Sequence, residues 1–259
     1  MPPSNTTPVP AGNRLLAALP ADEYRRLLPS LEPVTLSLGE VLREPGGHQE
    51  HLYFPTTCVV SLLYTVEEGS TAGVGLTGND GAFGVALFLG GDTSPYRIAV
   101  QIAGAAFKMT SKIVREEFAR GCAFQRVLLA YTQALIIQIS QTAACNRLHS
   151  VEKRLCRWLL MCHDRVPSGE ILMTHEFISN MLGGRRESVT MAAGRLQETG
   201  LIQYSRGHIR ILDRQGLEAC ACECYRVVKD EVDRLMGKLD PKLLARQAIA
   251  GRDGGREVS

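Results

Sequence analysis

The sequence predicts an α+β fold: an N-terminal antiparallel β module, a long helix, and a C-terminal helix-turn-helix carrying a β-hairpin wing. Three observations predict it. Between about 31 and 110, short β-prone runs (VTLSL, LYF, VVSLLYTV, AGVGLT, IAVQIAG, AFKM) alternate with Gly, Pro, Asn and Asp at roughly 8–12-residue spacing. Residues 123–146 then form one apolar stretch whose single charge is Arg126. Finally, two short amphipathic segments meet at Gly183-Gly184 and lead into a pair of β-prone runs.

The β rhythm suits a sandwich, a barrel or a jelly-roll-like β-roll better than βαβ units, because no helix-length segment separates the runs. Turns are legible at Glu44-Pro45-Gly46-Gly47, Glu67-Glu68-Gly69-Ser70, Gly78-Asn79-Asp80-Gly81 and Gly90-Gly91-Asp92. Ahead of them, residues 13–28 read as short helical pieces broken at Pro20. Residues 1–12 are rich in Pro, Ser and Thr and read as a disordered arm. That arm has neither the cationic nor the apolar region of a secretory signal, so a cytoplasmic location is expected.

After a short helix from Ser111 to about 120, the stretch 123–146 would span about 36 Å as a helix. Gln133, Gln138, Gln141 and Asn146 make it a poor membrane span, so no membrane is expected as a partner. Phe124, Leu128, Tyr131, Leu135, Gln138 and Thr142 recur with heptad-like spacing, and Val127, Ala130, Ala134 and Ile137 make a second apolar face. A helix apolar on two faces needs two partners. One is the β module; the other is most simply the same helix of a second subunit, which makes the heptad-like residues the expected homodimer interface.

Composition excludes collagen and disorder, since 45% of residues are hydrophobic and 22% charged. Net charge is only +2, but its distribution is uneven. Residues 1–120 hold 9 Lys and Arg against 12 Asp and Glu, whereas 147–214 hold 11 against 7, so a polyanion would meet the rear half.

That rear half holds the informative segment, 174–212. Residues 151–165 first form an amphipathic helix. Thr174 then caps a short helix with Phe177, Ile178, Met181 and Leu182 inward. Gly183-Gly184 makes the turn, and a second helix from about 186 to 199 buries Val189, Ala192, Ala193 and Leu196. Two helices joined this way leave the second free to enter a major groove. Its exposed start is Arg185, Arg186, Glu187, Ser188 and Thr190. An Arg side chain pairs bidentately with guanine, Glu accepts from cytosine, and a hydroxyl at a helix N-terminus holds phosphate. The runs 201–204 and 209–212 flank a turn and form a two-stranded wing, whose Arg206, His208 and Arg210 suit the flanking DNA backbone.

In this order, LGGRRESVTMAAGRLQETGLI followed by RGHIRILD resembles the recognition helix and wing of the Crp–Fnr superfamily of bacterial regulators. The VEKRLCRWLL helix and the HLYFPTTCVVSLL strand pair fit the same resemblance, which covers about 30–215. It implies a sensory, cyclic-nucleotide-binding-like β-roll over 13–120, a dimerisation helix over 121–146 and a winged helix-turn-helix over 147–214. A C-terminal helix and a frayed tail follow over 215–259. It also implies a transcription regulator rather than an enzyme, with double-stranded DNA and RNA polymerase as partners and no catalytic residue. Arg186 and Glu187 match the family's base-reading pair, with Thr190 beside them, and Ser188 its phosphate-contacting hydroxyl. Met191 stands where many members place a second Arg, so apolar contact with a thymine methyl replaces guanine reading there. Arg185, Arg206, His208 and Arg210 complete the expected phosphate contacts.

The sensory half departs from the pattern. Gly81-Ala82-Phe83-Gly84-Val85-Ala86-Leu87 aligns with the nucleotide-binding run, but Val85 replaces its carboxylate, and Arg97 is followed by Ile98 rather than a hydroxyl. A ribose hydroxyl facing Val85 would lose its acceptor, at a cost of about 1–3 kcal/mol. Phe83, Gly84, Val85 and Arg97 thus mark an effector pocket whose ligand is unidentified, and cyclic AMP is not expected. No N-terminal cysteine cluster of the redox members is present, the first cysteine being Cys58. Cys220, Cys222 and Cys224 are expected on one helix with Cys222 facing away from the other two, a poor metal set, and no metal or cofactor is assigned.

Two other readings remain open on the sequence. His48-Gln49-Glu50-His51 would supply ligands to a cupin-like metalloenzyme with an accessory helical domain. Alternatively, the chain binds DNA without any effector.

Overall fold

The computed structural model describes residues 12–166 and 170–238. The N-terminal arm expected up to residue 12, residues 167–169 and the tail beyond 238 lie, but for Gly12, outside the described residues.

Two antiparallel sheets build the N-terminal unit. β1 (Glu32–Leu36), β7 (Gly104–Thr110) and β3 (His51–Pro55) form one, in that order. β2 (Val41–Arg43), β6 (Arg97–Ile102), β4 (Val59–Thr65) and β5 (Thr71–Thr77) form the other. Every ladder is antiparallel, as the absence of crossover helices requires. Inward residues of both sheets (Leu36, Val60, Ile98, Val100, Ala106) close a core with Phe83, whose ring stacks on Tyr53 at 4.4 Å. The short helices α1 (Arg14–Ala17) and α2 (Ala21–Leu27) are separated at Pro20, as expected. Asn13 caps α1 and is itself buried, donating to the carbonyls of Pro55 and Gly81.

After α3 (Ser111–Ala119), the helix α4 runs from Ala123 to Leu148. Glu23 of α2 accepts from the backbone N–H groups of Ala123 and Phe124, satisfying two donors at the start of α4. Here one expectation is corrected. Phe124, Leu128, Tyr131, Leu135 and Gln138, predicted to face a second subunit, are buried inside the chain's own core. The reason is the edge of the four-stranded sheet. β5 has β4 on one side only, so its outward backbone groups need partners. Gln138 Oε1 accepts from Leu76 N–H at 2.7 Å, and the Tyr131 hydroxyl meets Thr77 Oγ1 at 2.9 Å. Gly81 is required by the same approach, since a Cβ there would overlap the Tyr131 ring. Thr142, half-buried, accepts from Arg157 at 2.9 Å instead of facing a partner. The outward stripe of α4 holds Leu129 (45% exposed), Gln133, Ile136 (58% exposed), Ser140 and Ala143, with Arg147 and Leu148 also exposed at its end.

The C-terminal unit contains α5 (Val151–His163), α6 (His175–Leu182), α7 (Arg186–Glu198), a small sheet, α8 (Arg214–Cys220) and α9 (Cys224–Gly237). The segment after 214, expected as a single helix, is therefore two, broken between Cys220 and Cys224, and α9 lies along α4. This unit is not independent of the β-roll. Val59, Leu63, Leu76, Ala99 and Ile102 of the sheet share one apolar core with Leu155, Trp158, Leu159 and Cys162 of α5. Beside it, Arg165 forms a two-pronged pair with Asp80 at 2.9 and 2.5 Å, and its third nitrogen donates to the Met161 carbonyl. Both side chains are largely buried, so removing one partner strands the other charge. Asp80→Ala is expected to lower unfolding free energy by about 3–5 kcal/mol, read from the urea midpoint at unchanged slope; a loss under about 1 kcal/mol would mean the pair is solvated.

Candidate nucleic-acid interface

The helix pair α6 and α7 is set by local chemistry. Thr174 Oγ1 accepts from Phe177 N–H at 3.2 Å and caps α6. Gly183 ends it with φ 57° and ψ 41°, and Gly184 N–H returns to the Ser179 carbonyl at 3.0 Å. Arg154 of α5 donates to the Leu182 carbonyl at 2.7 Å, satisfying another acceptor at that end. Val189, Ala192, Ala193 and Leu196 hold α7 against the core, and the two alanines permit close approach of α6.

β9 (Ile202–Ser205) and β10 (His208–Ile211) form the wing, joined through Arg206 (φ 49°) and Gly207 (φ 85°). Two successive positive φ angles make the tight turn whose twist matches antiparallel strands. β8 (Glu170–Leu172) adds a third strand on the far side of β10, which the sequence reading missed because it is only three residues long. Gln197 Oε1 accepts from Tyr204 N–H at 2.7 Å and fixes the wing to α7.

On this frame, Arg185, Arg186, Glu187, Thr190 and Met191 are exposed at the N-terminal half of α7, with Ser188 half-buried. Met191 is 60% exposed, a large apolar side chain in open solvent. Thr190 donates to the Arg186 carbonyl at 3.0 Å, so its hydroxyl proton is used within the helix. Arg206, His208 and Arg210 are exposed on the wing. Arg185, Arg186 and Arg206 make no ion pair with any described residue. The uncapped start of α7, guanidiniums without an ion pair among the described residues and an exposed methionine are a combination suited to a polyanion with readable edges.

Residues 153–220 match the family model of the Crp-like helix-turn-helix domain. The fold as a whole is similar to solved regulators. FixK2 from Bradyrhizobium japonicum superposes with a TM-score of 0.64 at 16% identity, over 74% of this chain and 98% of that one. TTHB099, a CRP-family transcriptional regulator from Thermus thermophilus, gives 0.60 at 18% identity over 73% and 96%. The c-di-GMP-responsive global regulator CLP of Xanthomonas campestris gives 0.60 at 14% identity over 74% and 99%. Residues 153–220 are thus a Crp-like helix-turn-helix domain, and the chain as a whole shares the fold of these solved regulators. No curated protein matches it in sequence.

In the N-terminal β unit, Phe83 and Gly84 are buried, Val85 is half-buried, and the Arg97 guanidinium is engaged by Glu44 at 2.8 Å. A different guanidinium is buried nearby. Arg43 donates to Gln49 Oε1 at 3.0 Å and to the Ser94 hydroxyl, lies 4.9 Å over the Tyr96 ring, and leaves its Nε without a partner. Gln49 in turn lies against Gly84, where a Cβ would come 3.1 Å from its amide nitrogen. Sequence reasoning missed Arg43 because it stands in a three-residue strand before a turn. His48 pairs with Asp92 at 3.2 Å in solvent, whereas His51 sits edge-on to Tyr53, so the two histidines do not share a site.

The cysteine expectation is also corrected. Ala221 is extended (ψ 157°) and breaks the helix, so Cys222 and Cys224 turn to one side and are buried with Cys145, beside the half-buried His149. Cys220 remains exposed and apart.

The inter-helix turn yields a controlled comparison. A Cβ at Gly183 would meet only Ala72 at 3.7 Å, so any cost there is conformational. Gly183→Ala is expected to cost about 1 kcal/mol, while Gly184→Ala, at ordinary φ and with no contact under 3.8 Å, stays near neutral. Paired thermal melts check this; equal losses would place the strain elsewhere.

Proposed function

We propose that the chain is a cytoplasmic, homodimeric, sequence-specific regulator of transcription that lays two copies of α7 in successive major grooves. The reading divides it into a sensory unit (13–120), a linking and dimerising helix (from 121), a DNA-binding head (147–214) and a C-terminal extension. The observation that carries it is the outward surface of Arg185–Thr190 together with the basic wing turn. Arg186 and Glu187 are assigned to base edges, with Thr190 and Met191 reading apolar or methyl features one turn on. Arg185, Ser188, Arg206, His208 and Arg210 are assigned to phosphates.

Pairing is assigned to the outward stripe of α4, centred on Leu129 and Ile136, in place of the inward residues. Apolar side chains at i and i+7 with Gln133 between them suit a parallel helix pair. The β-roll is assigned the signal input. Arg43 is buried on neutral partners, with no carboxylate among the described residues to balance its charge, which favours an anionic effector over a neutral one. RNA polymerase is the partner a bound dimer would act on.

Selection of duplexes from a random pool is expected to return a near-palindrome with half-sites about 10 bp apart. On it, Arg186→Ala loses about 1–3 kcal/mol and relaxes choice at one base pair, whereas Arg206→Ala weakens all duplexes alike and lowers the salt slope by about 1. Recovery of unrelated sequences, or equal effects of both variants on operator and scrambled duplex, would refute base reading. Sedimentation should show a wild-type dimer and an Ile136→Asp monomer; an Ile136→Asp dimer would move the interface off this stripe.

A further inference from the structure

We propose that Cys145, His149, Cys222 and Cys224 form a mononuclear zinc site that fastens the C-terminal extension to the end of the long helix. Their ligand atoms all lie within 4.8 Å of one another. Cys145 Sγ is 3.5 Å from Cys222 Sγ, and Cys224 Sγ is 3.5 Å from His149 Nδ1. A tetrahedral ion with Zn–S of about 2.3 Å and Zn–N of about 2.0 Å places its ligand atoms roughly 3.5–3.8 Å apart. Four donors therefore converge at the spacing of one small tetrahedral ion. Multinuclear iron–sulfur clusters would need the thiolates spread around several metal atoms, which this tight group does not allow.

The surroundings fit as well. Cys145 lies in the last turn of α4 and His149, four residues on, is its C-cap, with its backbone N–H on the Cys145 carbonyl, so the two side chains come together. Cys222 and Cys224 come from the α8–α9 break, where extended backbone at Ala221 replaces the helix that would have sent Cys222 away. The three buried thiols form a cluster of their own, outside the larger apolar cores. His149 presents Nδ1 to the thiols while its Nε2 lies 3.4 Å from Glu223, the carboxylate–histidine arrangement that orients a metal-bound imidazole. Gln141 donates to Cys224 Sγ at 3.1 Å, as an amide does to a metal-bound thiolate.

With three cysteines and one histidine the coordination sphere is complete, which marks a structural rather than a catalytic ion. Thiolate donors select zinc over the hard cations. Binding would release the three thiol protons to solvent, with His149 neutral. A disulfide between Cys145 and Cys222 would need an oxidant and would leave Cys224 and His149 unexplained. The site's position gives it a mechanical role. His149 is the C-cap of α4, and the next residue, Ser150, caps α5, so the ion would sit at the joint between the linking helix and the DNA-binding head.

The test uses the full chain, purified under reducing conditions from zinc-replete cells. Elemental analysis is expected to find one zinc per chain, Cys222→Ser and Cys224→Ser to fall to background, and Cys220→Ser to keep full zinc. Because a ligand variant can fail by misfolding, wild-type protein stripped with chelator and titrated with cobalt is the second measurement. It is expected to develop tetrahedral d–d bands and thiolate-to-cobalt charge transfer, saturating at one equivalent. Stoichiometric iron in place of zinc, loss of metal in Cys220→Ser, or the absence of both zinc and a thiolate–cobalt spectrum would each overturn the proposal. DNA binding does not enter these readouts, so they stand apart from the fate of the operator reading.

Discussion

The structure depends on how α4 is covered. A 26-residue helix carrying only Arg126 and Arg147 as charges presents a broad apolar surface that must be covered. Phe124, Val127, Leu128, Tyr131 and Leu135 are fully or nearly fully buried, and each contributes about 1.5–3 kcal/mol relative to exposure. The edge of the four-stranded sheet, the short N-terminal helices, and α9 returning from the C-terminus together provide that cover. The remaining strip is narrow, and it is the strip on which a second copy would lie.

Coverage of α4 also decides where the DNA-binding head sits. The α5 core is continuous with one face of the four-stranded sheet through Trp158, Cys162 and Val59. Gln101 donates to Cys162 Sγ at 3.0 Å, and Arg165 reaches back to the turn after β5. Any change in packing of that sheet is therefore felt by α5, on whose far side α7 rests. A ligand acting at the β-roll would need only to favour one placement of α5 over another, and its effect would equal the difference in its affinity for the two.

Legibility in the sequence followed the range of the interactions. The helix-turn-helix and wing were readable because their determinants are local: the Thr174 cap, the Gly183 turn, the 3.6-residue spacing of Val189, Ala192 and Leu196, and the Arg206-Gly207 turn. The β rhythm was readable for the same reason, apart from the three-residue strands β2 and β8, which are too short to show a period. The face of α4 was not. Heptad-like spacing marks an apolar stripe without naming its partner, and Gln138 and Tyr131, polar enough to suggest a water-tolerant dimer seam, instead satisfy the edge strand β5. The cysteines were misread through an assumed continuous helix, and no local pattern announces that Cys222 meets Cys145, 77 residues away.

The C-terminal extension, for which the sequence offered no role, follows from the same constraint. Val232 and Met236 pack into the core beneath α4, and Asp233 pairs with Arg14 at 3.0 Å, so α9 reaches the N-terminal helix as well. Exposed ion pairs of this kind contribute little to stability, so the Arg14 contact orients α9 more than it holds it. Its anchorage must come from apolar burial at one end and from the Cys145–Cys222–Cys224 cluster at the other. A helix fixed at both ends across α4 narrows the surface available to a second subunit to the Leu129–Ile136 side. In the dimer proposed above, the extension would act as a wall that sets which face of the long helix can pair.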